Sequence, residues 1–471
     1  MAAEQVGSIR KSRVVENIPA RKKEIAMAER KHPPGLYVLF FTEMWERFSF
    51  YTMFAVFMLY MTSPEHYVKL KVLPFFEPHL MYGLYSGLIY ITPLLGGWLA
   101  DRYLGCRKTV YIGAMLMAIG QFLLATMSVD LFYPGLLFLI MGGGFFKPNI
   151  STMVGNLYEH DSPLRDSAFN IFYMGINIGA LIAPLAAGWL HETFGFGWAF
   201  FAAGLGMIVS TIILVSFDRF VAAADTTSTG TGAFVSAREP KTKHDFWLRI
   251  WALVAVFAII AIWWAVYMQY GDVMNLWARD YTSPIHLGFS KALTTMPVEW
   301  YQSINPIFII VFTPLLVWLW GALNRRGKEP STSGKMQWGF ILSALAFLIM
   351  VGSASVFSHS HSGVSPLWLV GFYATMTLSE LCLSPMGLSY VTKVAPPRYQ
   401  SFMMGMWFAA SGVGSFFAGY LGKMWITPHI ENHFPLQLHP TGYFWVMSGL
   451  SVVCLAAMLF AFKLVNKAPE L

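Results

Sequence analysis

Apolar stretches long enough to cross a bilayer recur along nearly the whole chain, separated by short polar turns. A helix of about 20 apolar residues spans about 30 Å of hydrocarbon. Runs of that kind lie near 35–61, 80–103, 109–128, 131–155, 167–190, 196–217, 248–278, 299–320, 336–357, 365–391, 400–424 and 441–464. The pattern predicts an all-α membrane protein with twelve transmembrane helices. Between the sixth and seventh runs lies a polar stretch, 218–246, whose Ala222-Ala-Ala-Asp-Thr-Thr-Ser-Thr-Gly-Thr-Gly run has the composition of a flexible linker. It divides the chain into six-helix bundles over 35–217 and 247–464, with tails at 1–34 and 465–471. A midpoint linker predicts two bundles that rock against each other about a ligand site near the membrane midplane.

Composition excludes a soluble globular domain. The 471 residues are 56% hydrophobic and 12% charged, with a mean hydropathy of +0.52. The first 34 residues carry Arg10, Lys11, Arg13, Arg21, Lys22, Lys23, Arg30 and Lys31 without an apolar core, so they read as a basic cytoplasmic tail and not a signal peptide. With both termini cytoplasmic, about 25 of the 32 Lys and Arg fall on the inner face of the cytoplasmic membrane. The net charge of +7 then reports topology and contact with anionic lipid, with no call for nucleic acid. Cys106, Cys382 and Cys454 belong to different spans and form neither a disulfide framework nor a metal set. There is no Walker loop, nucleophile elbow or HExxH helix, so neither an ATP-driven pump nor an enzyme is expected, and no metal or cofactor. His359 and His361, in a short loop, read as incidental.

The chemistry lies in charges at hydrocarbon depth. Glu43, Glu46 and Arg47 interrupt the first run, where an unpaired charge costs several kcal/mol and usually faces a polar cavity. At about 100° per residue, Glu43, Glu46, Arg47, Phe50, Tyr51 and Phe54 share one helix face. A structural ion pair to a neighbouring helix is the competing reading. Lys147, between Gly142-Gly-Gly144 and Pro148 in the fourth run, is suited to a carboxylate; Glu380, ahead of Pro385 in the tenth, is suited to an ammonium. Facing each other across a cavity, they would be complementary poles for a short zwitterion. Three deep acids against two bases leave an empty cavity with excess negative charge, and a proton is its least costly neutraliser.

Two stretches carry family resemblance. Gly96-Gly-Trp-Leu-Ala-Asp101-Arg102-Tyr-Leu-Gly105-Cys-Arg107-Lys108, after the second run, resembles the loop motif of the major facilitator superfamily. There Asp101, with Arg102 and Arg107, would latch onto a basic group or helix N-terminus of the other half and favour an outward-open state. Glu43-Met-Trp-Glu46-Arg47-Phe48-Ser-Phe50-Tyr51 resembles the ExxERFxYY motif of the proton-coupled oligopeptide transporter (POT) family. Phe146-Lys147-Pro148-Asn149, Phe169 to Leu181, Ser303-Ile-Asn305-Pro306, Ser379-Glu380 to Pro385 and Gly405-Met-Trp407-Phe408-Ala-Ala-Ser411 resemble further motifs of that family, in order.

The resemblance implies the major facilitator fold and proton-coupled uptake of di- and tripeptides by a functional monomer, with protons as the coupling ion. It assigns Lys147 and Asn177 to the peptide carboxylate and amide, Asn305 and Glu380 to its amino terminus, and Tyr51, Tyr90, Trp264, Trp407 and Ser411 to the pocket. For the aromatics, ordinary core packing is the competing reading. Glu43, Glu46, Arg47 and Glu380 would carry coupling. The chain departs from the family where Phe54 and Met268 stand in place of an opposite-charge pair across the halves and where Phe50 replaces a tyrosine. Asp272 is the candidate substitute for the missing seventh-span acid. Those departures leave room for another substrate, such as a modified peptide, nitrate or an organic anion. A sensor that binds peptide without transport is the reading from a different class.

Overall fold

The computed structural model describes residues 31–159, 162, 164–225, 242–288, 293–360, 362–396, 399–428, 430 and 434–465. Most of the basic tail, most of the 218–246 linker, His361 and the last six residues therefore lie outside the described residues.

Twelve long helices follow in chain order among them, α1 (Pro34–Thr62), α2 (Pro78–Leu104), α3 (Cys106–Ala125), α4 (Phe132–Asn156), α5 (Arg165–Phe194) and α6 (Phe196–Ser216) in the first half. The second half holds α7 (Phe246–Asp280), α8 (Val298–Arg325), α9 (Thr332–Ser360), α10 (Leu367–Val394), α11 (Gln400–Gly422) and α12 (Pro440–Val465). Ten are long and apolar enough to cross a membrane by length and composition. The other two, α1 with 29 residues and α4 with 25, are those that carry Glu43, Glu46, Arg47 and Lys147.

Local signals explain the boundaries. Proline occupies the first turn of α1 and α2, where its missing N–H costs nothing. Gly105 and Gly195, at φ +78° and +97°, make the sharp α2–α3 and α5–α6 turns that residues with a Cβ resist. Close backbone approach holds α3 to α4, where a Cβ on Gly113 would lie 2.8 Å from the Gly142 carbonyl and one on Gly120 2.8 Å from that of Gly135.

Both ends of the described chain fall on one side of the bundle, here the tail face, and the opposite side is the far face. The halves meet along α2 and α11, α1 and α7, and α5 and α8. Near the far face Ser303 donates to the Leu181 carbonyl at 2.9 Å and Trp300 Nε1 to that of Leu185 at 3.0 Å. Toward the tail face Phe169, Tyr173 and Met174 of α5 and Ile310 and Val311 of α8 are exposed. Among the described residues the hydrogen bonds that join α5 to α8 thus gather at the far face.

Candidate functional site

The charges of α1 are satisfied largely within their own helix. Arg47, one turn after Glu43, holds its Nε 3.0 Å from Glu43 Oε1, and it pairs with the adjacent Glu46 through Nε and, at 2.6 Å, through Nη2. All three side chains are buried. Glu43 Oε2 is left without a donor, an orphan acceptor of the kind that marks a proton or ligand site.

Lys147 is held differently. Its ammonium lies 4.1 Å from the Phe50 ring centroid and 5.1 Å from that of Tyr90, and among the described residues it makes no ion pair. A desolvated cation over two rings gains roughly 2 kcal/mol or more, which stabilises the ammonium while leaving its place for an anion open. The phenylalanine that stands for a family tyrosine at position 50 is thus the support of the cation. Arg47 also lies over it, at 5.0 Å.

The opposite pole is built on α10. Glu380 Oε2 accepts from Tyr267 of α7 at 2.7 Å and from Asn305 of α8 at 3.0 Å, and Asn305 also donates to Thr377 at 3.0 Å. Three helices of one half therefore fix the carboxylate by one oxygen, and among the described residues its Oε1 receives no hydrogen bond. Lys147 and Glu380 are not paired with each other. Tyr51 and Tyr90 stand within electrostatic reach of both Arg47 and Glu380, which joins the two poles in one region. Tyr90 also faces Trp264 across the halves, ring centroids 6.0 Å apart, and the buried Trp264 Nε1 has no acceptor. Tyr51, Tyr90, Lys147, Trp264, Asn305 and Glu380 are all half-buried.

Other expected residues are deeper. Asn177 is buried and donates to the Tyr173 carbonyl at 2.9 Å. Trp407 packs on Gly387, and the buried Ser411 donates to the Trp407 carbonyl at 3.1 Å, so its hydroxyl proton serves its own helix. The loop motif behaves unlike the expected latch. Asp101 and Arg102 are exposed and unpaired among the described residues. Arg107 instead bonds acids just beyond α6, Asp218 at 2.8 Å and Asp225 at 3.3 Å. His359 caps its own helix through the Ser355 carbonyl.

The missing charge pair is filled by rings. Phe54 stacks on Tyr270 at 6.1 Å and 20° and meets Tyr82 edge-on, while Tyr82 donates to the Met268 carbonyl at 2.8 Å. A turn nearer the far face, Asp272 is wholly buried and its Oδ1 lies 2.7 Å from His79 Nδ1, with His79 Nε2 3.2 Å from Thr427. Sequence reasoning missed His79, Tyr267 and Tyr270. The one legible signal for Tyr267 was its position one turn after Trp264 on the cavity face.

A model of the POT family matches residues 107–229 and 218–436. The chain is 35% identical over 490 residues to the "Peptide transporter YePEPT" of Yersinia enterocolitica subsp. palearctica, an alignment covering 91% of this chain and 93% of that one. It is 32% identical to a "Di-/tripeptide transporter" of Lactococcus lactis subsp. cremoris, covering 80% and 86%. Among solved structures it resembles a peptide transporter POT in complex with sulfate, at TM-score 0.78 and 28% identity over 93% of this chain and 95% of that one. A POT family transporter bound to 5-aminolevulinic acid matches at TM-score 0.78 and 26% identity over 93% and 97%.

Proposed function

Because the chain belongs to the POT family, we propose that it carries di- and tripeptides with protons across the cytoplasmic membrane by alternating access, acting as a monomer with both termini inside. One observation carries the substrate assignment. Among the described residues, Lys147 is an unpaired cation in one half, and Glu380 is a carboxylate with one unoccupied oxygen in the other. An α-amino acid chain of two or three residues presents a carboxylate and an ammonium at matching ends, while aromatic walls tolerate its side chains. In this reading Asn177 and Asn305 orient the peptide, Tyr51, Tyr90, Trp264 and Trp407 form the walls, and Ser411 supports Trp407.

Coupling follows from charge. Glu43 shares Arg47 with Glu46 and keeps one oxygen bare, so a proton on Glu43 or Glu46 frees guanidinium capacity, and the peptide carboxylate competes for it and for Lys147. With Phe54 and Met268 apolar, the titratable link between the halves passes to His79 and Asp272. Asp101, Arg102 and Arg107 serve the opposite conformation, in which the tail face closes.

Uptake into proteoliposomes under an imposed pH gradient tests this. An N-acetylated and a C-amidated dipeptide should each compete about tenfold more weakly than the free peptide. Indifference to both blocks would assign the site to an organic anion or a modified peptide, and binding without uptake would assign it to a sensor. Glu46→Gln should abolish accumulation against a gradient and leave part of counterflow exchange; unchanged uphill uptake overturns the coupling assignment.

A further inference from the structure

A pocket of about 370 Å3 opens between the halves at the far face, away from the peptide site. Its charged lining comes from both sides, with His191 and Glu192 at the end of α5, Arg279 and Asp280 at the end of α7, and Glu299 in the first turn of α8. Across it His191 Nδ1 stands 2.7 Å from Glu299 Oε1. The Glu299 side chain has no solvent exposure, and among the described residues its Oε2 has no partner and the imidazole is the one group that answers that carboxylate. His191 keeps 22% of its side chain exposed and stacks on Phe196, ring centroids 3.7 Å apart.

The groups around the imidazole define what its proton does. Arg279 is committed to Asp280 at 2.6 and 3.0 Å and to Thr62 of α1 at 2.7 Å. Glu192 follows on the same helix, and His66 of the short helix Pro64–Leu70 lies within electrostatic reach. His66 itself is held below the ordinary imidazole range by partial burial, so it is the weaker competitor for a proton. Glu192, Asp280 and Glu299 thus stand against one permanent base, Arg279, and a proton on His191 offsets one of the two excess negative charges. Once such a pair is charged, removing one partner's charge strands the other, buried and uncompensated.

Resting on the alternating-access reading above, we propose that His191 and Glu299 are further gating residues of the transport cycle, a clasp between α5 and α8 that external protons tighten and that must part for the far face to open. The neighbouring His79–Asp272 pair, with side chains 1% and 0% exposed, is sealed from far-face water, whereas His191 lines the pocket and exchanges protons directly with the outer solution. By linkage, a proton bound more tightly in the closed form shifts the population toward it as external pH falls.

The test is a distance distribution between spin labels on Val68→Cys and Leu367→Cys, which are 58% and 74% exposed on opposite halves. The three native cysteines are buried and leave the labelling selective. As pH rises from about 5 to about 8 through the imidazole range near 6.5, the closed-to-open ratio should fall about tenfold in the parent and less than about twofold in His191→Gln, whose amide donates a bond but never a charge. Glu299→Gln should flatten the response likewise and stands in if the first variant fails to fold. A pH response of parental size and midpoint in either folded variant overturns the clasp. Dipeptide counterflow by the unlabelled parent is measured alongside, and its absence would sink the transport reading while leaving the clasp to be judged on the distances.

Discussion

The cavity and the far-face seam use charge in opposite ways. In the cavity, Lys147 and Glu380 stand on different halves and do not meet, each supported by rings or neutral donors of its own half. In the seam, His79 reaches Asp272, His191 reaches Glu299 and Arg279 reaches Thr62, and each contact crosses from one half to the other. Charges left apart are available to a ligand, and charges joined across the halves hold a conformation. A transporter needs both, since binding energy spent on an existing pair cannot also be spent on substrate.

The sharpest way to break the comparison is to remove a pole. Lys147→Ala should weaken uptake of free dipeptides about 100-fold, the size of losing a charge-assisted contact of about 2–3 kcal/mol, while C-amidated dipeptides lose little. Competition curves for the two ligands measure it, and an equal loss for both would mean that Lys147 serves folding and not the carboxylate.

A second test converts cavity into seam and reads stability. Phe54→Arg places a guanidinium among Phe50, Tyr82 and Tyr270, rings that carry no charge to answer it. An uncompensated buried charge costs about 3–5 kcal/mol, so the melting temperature in detergent should fall steeply. Met268→Glu added to it should recover part of the loss and slow transport by joining the halves at mid-membrane. No rescue would mean that Phe54 and Met268 do not face each other closely enough to pair.

Much of this was legible before any coordinates, and unevenly. Ten of the twelve helices were readable because an apolar run of sufficient length needs no partner to declare itself, and α1 and α4 because their charges interrupt a run that is otherwise apolar. Their order and bounds agree closely with the runs, even for α1 and α4 with their buried charges. The poles Lys147 and Glu380 were readable because a lone charge in such a run is conspicuous. The seam was not. Asp272 and its partner His79 lie 193 positions apart, and nothing in either run says which turn of α2 will face which turn of α7. The loop motif was readable as a motif, yet nothing in it names the partners of Arg107, Asp218 and Asp225, which lie more than 100 positions along the chain.

A smaller effect is expected from Tyr267, because it acts on the substrate only through Glu380. Its hydroxyl and the Asn305 amide share Glu380 Oε2, which turns the other oxygen toward an incoming ammonium. Tyr267→Phe removes one of two neutral donors, worth about 1 kcal/mol, so KM for free dipeptides should rise about fivefold at unchanged kcat. N-acetylated dipeptides, which bring no ammonium, should show no change. The packing of the ring among Trp263, Trp264 and Tyr270 is kept by phenylalanine, so a fall in kcat for both ligands would assign the tyrosine to helix packing. A rise in KM confined to the free amino terminus would assign it to the orientation of the pole.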